Sequence, residues 1–399
     1  MQEQNTYVWG EGVFTLLSWF RQDKVKNARI LVIGAGALGN EVVKDLALFG
    51  VGHIYVVDFD QIEISNLTRS VMFREDDAYS HAYKAEIVAK RAMEINPQIK
   101  VIPIVGNLLS EVGFGIYRMV DVVIGCLDSR IARYQLNRMC MRAGKTWVDG
   151  SIENMTGTVQ VYTPGMACYE CGLSRDEFNH IMVRTGCADV VNLQNSAGRV
   201  ATTPISASII GAIEVQEAMK IIHLDTEAAN QFKTLQGKLL HYEGLTNTSR
   251  VYKFASWKNT CPAHEYWEPV IKATNLSAKQ SVKEMIAALK SLLQVEQVEI
   301  NMCNNKFVDR IISEKPEKEF KVMVPDSQLD NYINCNEELR KLRYVTLFHK
   351  SFFENIDDDF PYQDLTLQQI GIPLFDVLKI STEKGQFYVE LGADEDLFI

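Results

Sequence analysis

The sequence predicts an α/β protein built on a doubly wound, mostly parallel sheet, and three observations carry that expectation. Short apolar runs alternate with helical segments from residue 29 to about 163. The first run, Arg29-Ile-Leu-Val-Ile33, breaks into the glycine turn Gly34-Ala-Gly36-Ala-Leu-Gly39. The second, Ile54-Tyr-Val-Val-Asp58, ends in an acid. Strands that alternate with helices pair in parallel, because each crossover helix covers a face of the sheet.

Residues 1–28 read as an N-terminal helical lead-in whose apolar stripe is Phe14, Leu16, Leu17, Trp19, Phe20 and Val25. The runs RILVI, HIYVV, VIPIV, VDVVIG, TWVDG and VQVYT read as strands of the main sheet. A helix from Lys84 to Ile95 stops at Asn96-Pro97, since proline cannot continue a helix. Residues 168–200 are polar and lack clean periodicity, so they read as a long loop with at most one short helix. Thr202-Thr-Pro204 then caps a helix running to about Ile222. The first domain spans 29–272. Residues 273–399 form a smaller α+β domain: helix 277–293, strands 295–301 and 320–325, helix 329–342, and strands at 344–348, 377–381 and 386–391.

A chain of 399 residues exceeds one ordinary core, and 47% hydrophobic with 23% charged residues is a globular balance. No apolar run reaches the ~18 residues of a membrane span. The N-terminus lacks a signal pattern, so a cytoplasmic protein with no membrane partner is expected. Eight cysteines in such a chain point to metal and thiol chemistry rather than disulfides. The net charge of −10 is concentrated after residue 325, which argues against nucleic acid as partner. That acidic part is either a solubilising face or a docking surface for a basic partner.

Gly34, Gly36 and Gly39 let backbone approach a phosphate at a helix N-terminus, and Asp58 suits a ribose hydroxyl. This fingerprint alone favours an NAD(P)-dependent oxidoreductase. Asp60, Asn66, Arg69, Lys84 and Asp128 turn the expectation toward ATP, because hydride transfer has no use for such a set. Nucleotidyl transfer must neutralise a triphosphate and hold a metal. Asn66, Arg69 and Lys84 supply donors and positive charge to the phosphates. Asp128 follows a strand end, where open α/β sheets bind ligands, and is placed to ligate Mg²⁺. Taken singly, Arg69 and Lys84 read as solvated cations and Asp128-Ser129 as a helix cap; the whole set in order does not.

Cys168-x-x-Cys171 and Cys261-x-x-His264 are two knuckles that together supply four ligands for a structural Zn²⁺, with no open position for catalysis. Cys187, flanked by Gly186 and near Arg184, is a candidate nucleophile; the alternative is an unreactive thiol. Cys126 and Cys140 read as packed.

The ordered segments GAGALG, DFDQIEISNLTRS, YKAEIVAKRAMEINP and CLDSRIARYQLN resemble the ubiquitin-activating enzyme superfamily. That superfamily includes the bacterial adenylyltransferases for the sulfur carriers of thiamine and molybdopterin synthesis. The likeness covers roughly residues 15–270. It implies adenylation of the C-terminal glycine of a ubiquitin-like protein with ATP and Mg²⁺, with Arg69 and Asp128 catalytic. It also implies capture of the carrier on Cys187, transfer to a conjugating enzyme, and a homodimer. The segment LTLQQIGIP followed by VLKI resembles the end of a β-grasp, or ubiquitin-like, fold, which in many relatives recruits the conjugating enzyme. The sequence departs from the family at His81, where relatives often carry Gly, and at His264, where they carry Cys. Relatives also present an early arginine from a partner subunit; Arg21 is the only arginine here before Arg29, and no such role is assigned to it. The rival reading is a sulfur-carrier adenylyltransferase that stops at the adenylate. A non-catalytic scaffold is a further alternative, and the retention of Arg69 and Asp128 counts against it.

Overall fold

A computed structural model describes residues 9–10, 12–108, 110–178, 201–303, 305–343 and 345–392. The chain divides into two compact units, Met1–Leu108 with Tyr117–Tyr266 and Leu109–Ile116 with Trp267–Ile399.

In the first unit the strands are β1 (Arg29–Ile33), β2 (His53–Val57), β3 (Lys100–Ile104), β4 (Val122–Gly125), β5 (Trp147–Glu153), β6 (Thr156–Tyr162), β7 (Lys238–Glu243) and β8 (Thr248–Lys253). They form one sheet in the order β3-β2-β1-β4-β5-β6-β7-β8. β1 to β5 are parallel, and β5 to β8 continue antiparallel. The parallel strands are apolar runs because helices must cover both of their faces. β7 and β8 lack such runs and are half-buried and exposed, which is why the sequence reading ended the sheet at β6.

The helices of this unit begin with α1 (Gln22–Asn27), α2 (Ala37–Phe49), α3 (Glu75–Tyr79) and α4 (Lys84–Ile95). They continue with α5 (Phe114–Met119), which starts in the second unit, α6 (Arg130–Arg142), α7 (Tyr169–Gly172) and α8 (Pro204–Ile222). Val42, Val43 and Leu46 of α2, Val88 and Ala92 of α4, and Ile210 and Val215 of α8 share one core with Ile30, Val32, Ile54, Val56 and Ile124. The Thr203 hydroxyl accepts the Ser206 N–H at 3.2 Å and starts α8, as the cap sequence requires.

The lead-in is not a continuous helix. Phe14–Leu16 makes one 3-10 turn, Leu17 is extended, and α1 has only six residues. Phe14 and Phe20 pack on Phe49 at ring separations of 5.6 and 5.9 Å, while Leu16 stays 82% exposed. Packing of the aromatic rings bends the chain and overrides the helical periodicity.

In the second unit, β9 (Val270–Ala273), β10 (Glu299–Asn301), β14 (Asn355–Ile356), β15 (Val377–Thr382) and β16 (Gly385–Leu391) form a sheet in the order β14-β10-β15-β16-β9. Its first strand lies parallel to its last, Tyr388 beside Val270. Helix α9 (Val282–Leu293) buries Met285, Ile286 and Leu289 in the same core as Ile300, Ile380 and Val389. Ser281 and Glu284 close a capping box that starts α9 five residues later than the periodicity suggested. A second sheet, β12-β11-β13, comprises β11 (Phe307–Glu314), β12 (Glu317–Pro325) and β13 (Phe348–Phe353). The helix expected over 329–342 is two, α10 (Asp326–Cys335) and α11 (Glu337–Leu342). Asn336 breaks it, because its side chain accepts the N–H groups of Glu338 and Leu339 and caps a new helix.

Candidate active site and metal knuckles

The strand order reverses between β1 and β4, and the loops leaving these two strands touch. Cys126 donates its N–H to the Ile33 carbonyl at 2.8 Å. Gly34 has φ +99°, and a Cβ there would lie 2.4 Å from the Cys126 carbonyl oxygen. A Cβ on Gly39 would lie 2.0 Å from the Gly34 oxygen. These two glycines are therefore required by close backbone approach. Among the described residues, a Cβ on Gly36 would meet nothing within 4 Å. Such a crevice at the carboxyl ends of parallel strands is where open α/β sheets bind ligands.

Asp58 follows β2 and is tied to the glycine turn. Its carboxylate accepts the Ala35 N–H at 2.7 Å and the Asp60 N–H at 2.8 Å. Burial pushes this carboxyl up, and the Ala35 amide pulls it back. Residues 60–62 pair with 82–84 through Lys84 N–H to Asp60 O and Ile62 N–H to Ala82 O, both 2.9 Å. That pairing sets Lys84 Nζ 2.7 Å from Asp60 Oδ2. His81, in the turn between them, adopts φ +52°, so this position still demands the left-handed backbone that glycine enters freely. Asn66 Oδ1 accepts the Glu63 N–H at 3.0 Å, closing a short turn. Arg69 sends one donor to Ser65 O at 2.8 Å. Asp128 is exposed, three residues past the end of β4. The helix cap is Ser129, whose hydroxyl accepts the Ala132 N–H at 3.4 Å. Arg21 is tied down locally, its N–H to His223 Nε2 at 3.0 Å and its guanidinium to Ser18 O.

Sequence reading missed Asn40. This fully buried residue of α2 donates to the Ala35 and Gly36 carbonyls, both at 2.9 Å, and accepts the Met72 N–H at 2.9 Å. It joins the glycine turn to the segment just after Arg69. Its signal was an asparagine inside an otherwise apolar helical face, a position that requires satisfied hydrogen bonds.

The two knuckles converge. Cys168, Cys171, Cys261 and His264 present ligand atoms all within 4.8 Å of one another. Cys168 Sγ lies 3.8 Å from Cys171 Sγ and 3.7 Å from Cys261 Sγ, and Cys171 Sγ lies 3.4 Å from His264 Nε2. Tetrahedral bonds of ~2.3 Å to sulfur and ~2.0 Å to nitrogen separate ligand atoms by about 3.5–3.8 Å, so the donor set fits a four-coordinate metal. Trp257 stacks on the His264 ring at 3.6 Å and fixes its plane. No disulfide is present among the described residues. Cys126 and Cys140 are packed, with burial pushing both thiols well up. Cys187 lies outside the described residues.

The model of the ThiF family matches residues 9–263, and the chain belongs to that family. It is 30% identical over 243 residues to the adenylyltransferase and sulfurtransferase MOCS3 of Xenopus laevis, covering 61% of this chain and 49% of that protein. The MOCS3 of Dictyostelium discoideum is 28% identical over 342 residues, 83% of this chain and 75% of the relative. SUMO-activating enzyme subunit 2 of D. discoideum is 34% identical over 151 residues, 37% of this chain and 22% of that one. The chain thus spans about half the length of the Xenopus relative. A crystal structure of E. coli MccB with ATP covers 61% of the chain and 68% of its own at 26% identity, with a TM-score of 0.49. No helix among the described residues is long and apolar enough to cross a membrane.

Proposed function

We propose that the protein is an ATP-dependent adenylyltransferase that activates the C-terminal glycine of a ubiquitin-like protein. The observation that carries this reading is the contact of Gly34 with Cys126, which sets the glycine turn and the Asp128 loop on one crevice. A carboxylate oxygen attacks the α-phosphorus and pyrophosphate leaves, so the site must bring two anions together and stabilise the leaving group. Gly34, Gly36 and Gly39 offer the backbone cradle and Asp58 meets the ribose. Asn66, Arg69 and Lys84 attend the phosphates, Lys84 exchanging Asp60 for phosphate oxygen. Mg²⁺ on Asp128 supplies charge neutralisation of the triphosphate. Zn²⁺ on Cys168, Cys171, Cys261 and His264 is structural.

The fuller reading is an activating enzyme. The Cys187 thiolate attacks the acyl adenylate, AMP leaves, and a thioester passes to a conjugating enzyme recruited by the C-terminal unit. A helix packed across a mixed sheet, with first and last strands parallel, supports a β-grasp-like module there. A cytoplasmic homodimer completes the reading. A sulfur-carrier adenylyltransferase that stops at the adenylate is the second reading, supported by the names of the MOCS3 relatives.

Carrier-dependent exchange of pyrophosphate into ATP tests the core claim. It should require Mg²⁺ and be abolished by Asp128→Ala; full exchange in that variant sinks the site assignment. A carrier-linked band that reductant removes, lost in Cys187→Ala while exchange survives, separates the two readings. No band in the wild type favours the adenylate-only enzyme.

A further inference from the structure

Arg133 lies in the first turn of α6, nearly buried, and its guanidinium spans three partners. Nε donates to Asp149 Oδ1 at 2.9 Å, and Nη2 donates to the Leu127 carbonyl at 2.5 Å and the Gly150 carbonyl at 3.0 Å. Asp149 and Gly150 belong to β5, whereas Leu127 immediately precedes Asp128. We propose that Arg133 is a positioning residue for adenylation: it clamps the peptide that aims Asp128. This inference rests on the reading of Asp128 as metal ligand.

The loop between β4 and α6 is only Cys126, Leu127, Asp128 and Ser129. Its start is fixed by Cys126 N–H on the Ile33 carbonyl, and its end by the Ser129 cap. Between these two points Asp128 is exposed, and Arg133 holds the plane of the peptide that precedes it. A guanidinium is suited to this, because its planar fork donates in fixed directions to several acceptors at once.

Burial, and after it the neighbouring Asp149, push the Glu214 carboxyl of α8 well above the usual range. It is packed so tightly under Gly150 that a Cβ there would lie 2.4 Å from its carboxyl. Among the described residues, the acid paired with Arg133 is Asp149, at 2.9 Å. A buried ion pair of this kind is weak evidence for stability by itself. What marks this one is that the cation also grips two backbone carbonyls, Leu127 next to Asp128 and Gly150 in β5.

The test is carrier-dependent pyrophosphate exchange by the full chain, measured across Mg²⁺ concentrations, with Arg133→Lys and Asp149→Asn. Lysine keeps the charge but cannot reach all three acceptors. Arg133→Lys should raise the half-saturating Mg²⁺ concentration about tenfold or more and lower the exchange rate by about 100-fold, while a cooperative unfolding transition persists. Asp149→Asn keeps the shape, loosens the clamp, and should shift Mg²⁺ dependence the same way, so it decides the matter if Arg133→Lys does not fold. Wild-type Mg²⁺ dependence in both folded variants overturns the clamp, as does a loss of exchange that extra Mg²⁺ leaves unchanged. Asp128→Asn separates the premises: full exchange there removes the metal-ligand reading itself, whereas its loss beside a wild-type Arg133→Lys removes only the clamp.

Discussion

The Arg138 guanidinium meets the Glu170 carboxylate through two hydrogen bonds, Nε to Oε1 at 2.9 Å and Nη2 to Oε2 at 3.2 Å. Glu170 sits between Cys168 and Cys171. One turn further along α6, Arg142 Nε reaches Glu265 Oε2 at 3.1 Å, beside His264. Asn137 accepts the Tyr169 N–H at 3.1 Å from the same helix. One helix therefore begins at the Asp128 loop and ends holding both knuckles.

Arg138→Ala should destabilise the protein by roughly 1–3 kcal/mol. The Glu170 side chain is 2% exposed and would be left unpaired, while 22% exposure of Arg138 moderates the loss. Lys341→Ala, which removes the Glu337 pair exposed at 71% and 73%, should change stability by no more than about 0.5 kcal/mol. Denaturant midpoints measure both. Equal effects would mean that Glu170 gains nothing from its partner.

Removal of metal should matter most around α7. Purified protein should carry about one zinc per chain, and a strong chelator should release it and lower the melting temperature. His264→Ala should lower zinc occupancy and chelator resistance together, because only three ligands remain. Zinc-free protein with an unchanged transition removes the staple.

The parallel half of the sheet was legible because buried strands must be apolar on both faces, as in Arg29–Ile33 and His53–Val57. The bounds of α4 were legible for a local reason as well, the proline that follows Ile95 and Asn96. β8 was not, because an edge strand such as Thr248–Lys253 carries polar residues that alternate with nothing buried. The convergence of Cys168, Cys171, Cys261 and His264 could be read from two short spacings. Asn40 and Arg133 could not, because each acts on backbone carbonyls brought near by the fold, which no spacing announces.

Asn40→Ala should cost about 2–3 kcal/mol, since it removes the side-chain partner of the Met72 N–H and the Ala35 carbonyl, while the Gly36 carbonyl keeps the backbone N–H of residue 40. The glycine turn and the segment after Arg69 would also lose their link. Protection against heat by ATP with Mg²⁺ should therefore fall by more than the stability loss alone explains. Undiminished protection would show that the link does not reach the nucleotide.

Asp376 Oδ1 accepts the Phe114 N–H at 2.8 Å, and burial pushes its carboxyl up to about 6 from an ordinary 3.8. The amide hydrogen bonds from Phe114 and Val377 work against that shift and only partly offset it. A raised acid keeps its proton in the folded state where the unfolded chain has already lost it, so stability falls as pH rises. The cost is absent below about pH 3.8, grows through the interval, and is complete above about 6. A shift of this size corresponds to about 2–3 kcal/mol. Asp376→Asn removes the titration and keeps an acceptor for the Phe114 N–H. The variant should lie close to wild type at pH 4, gain on it up to about pH 6 and hold that gain at pH 7, by denaturant unfolding at stepped pH. A difference that stays constant across the series would place the Asp376 titration outside this window.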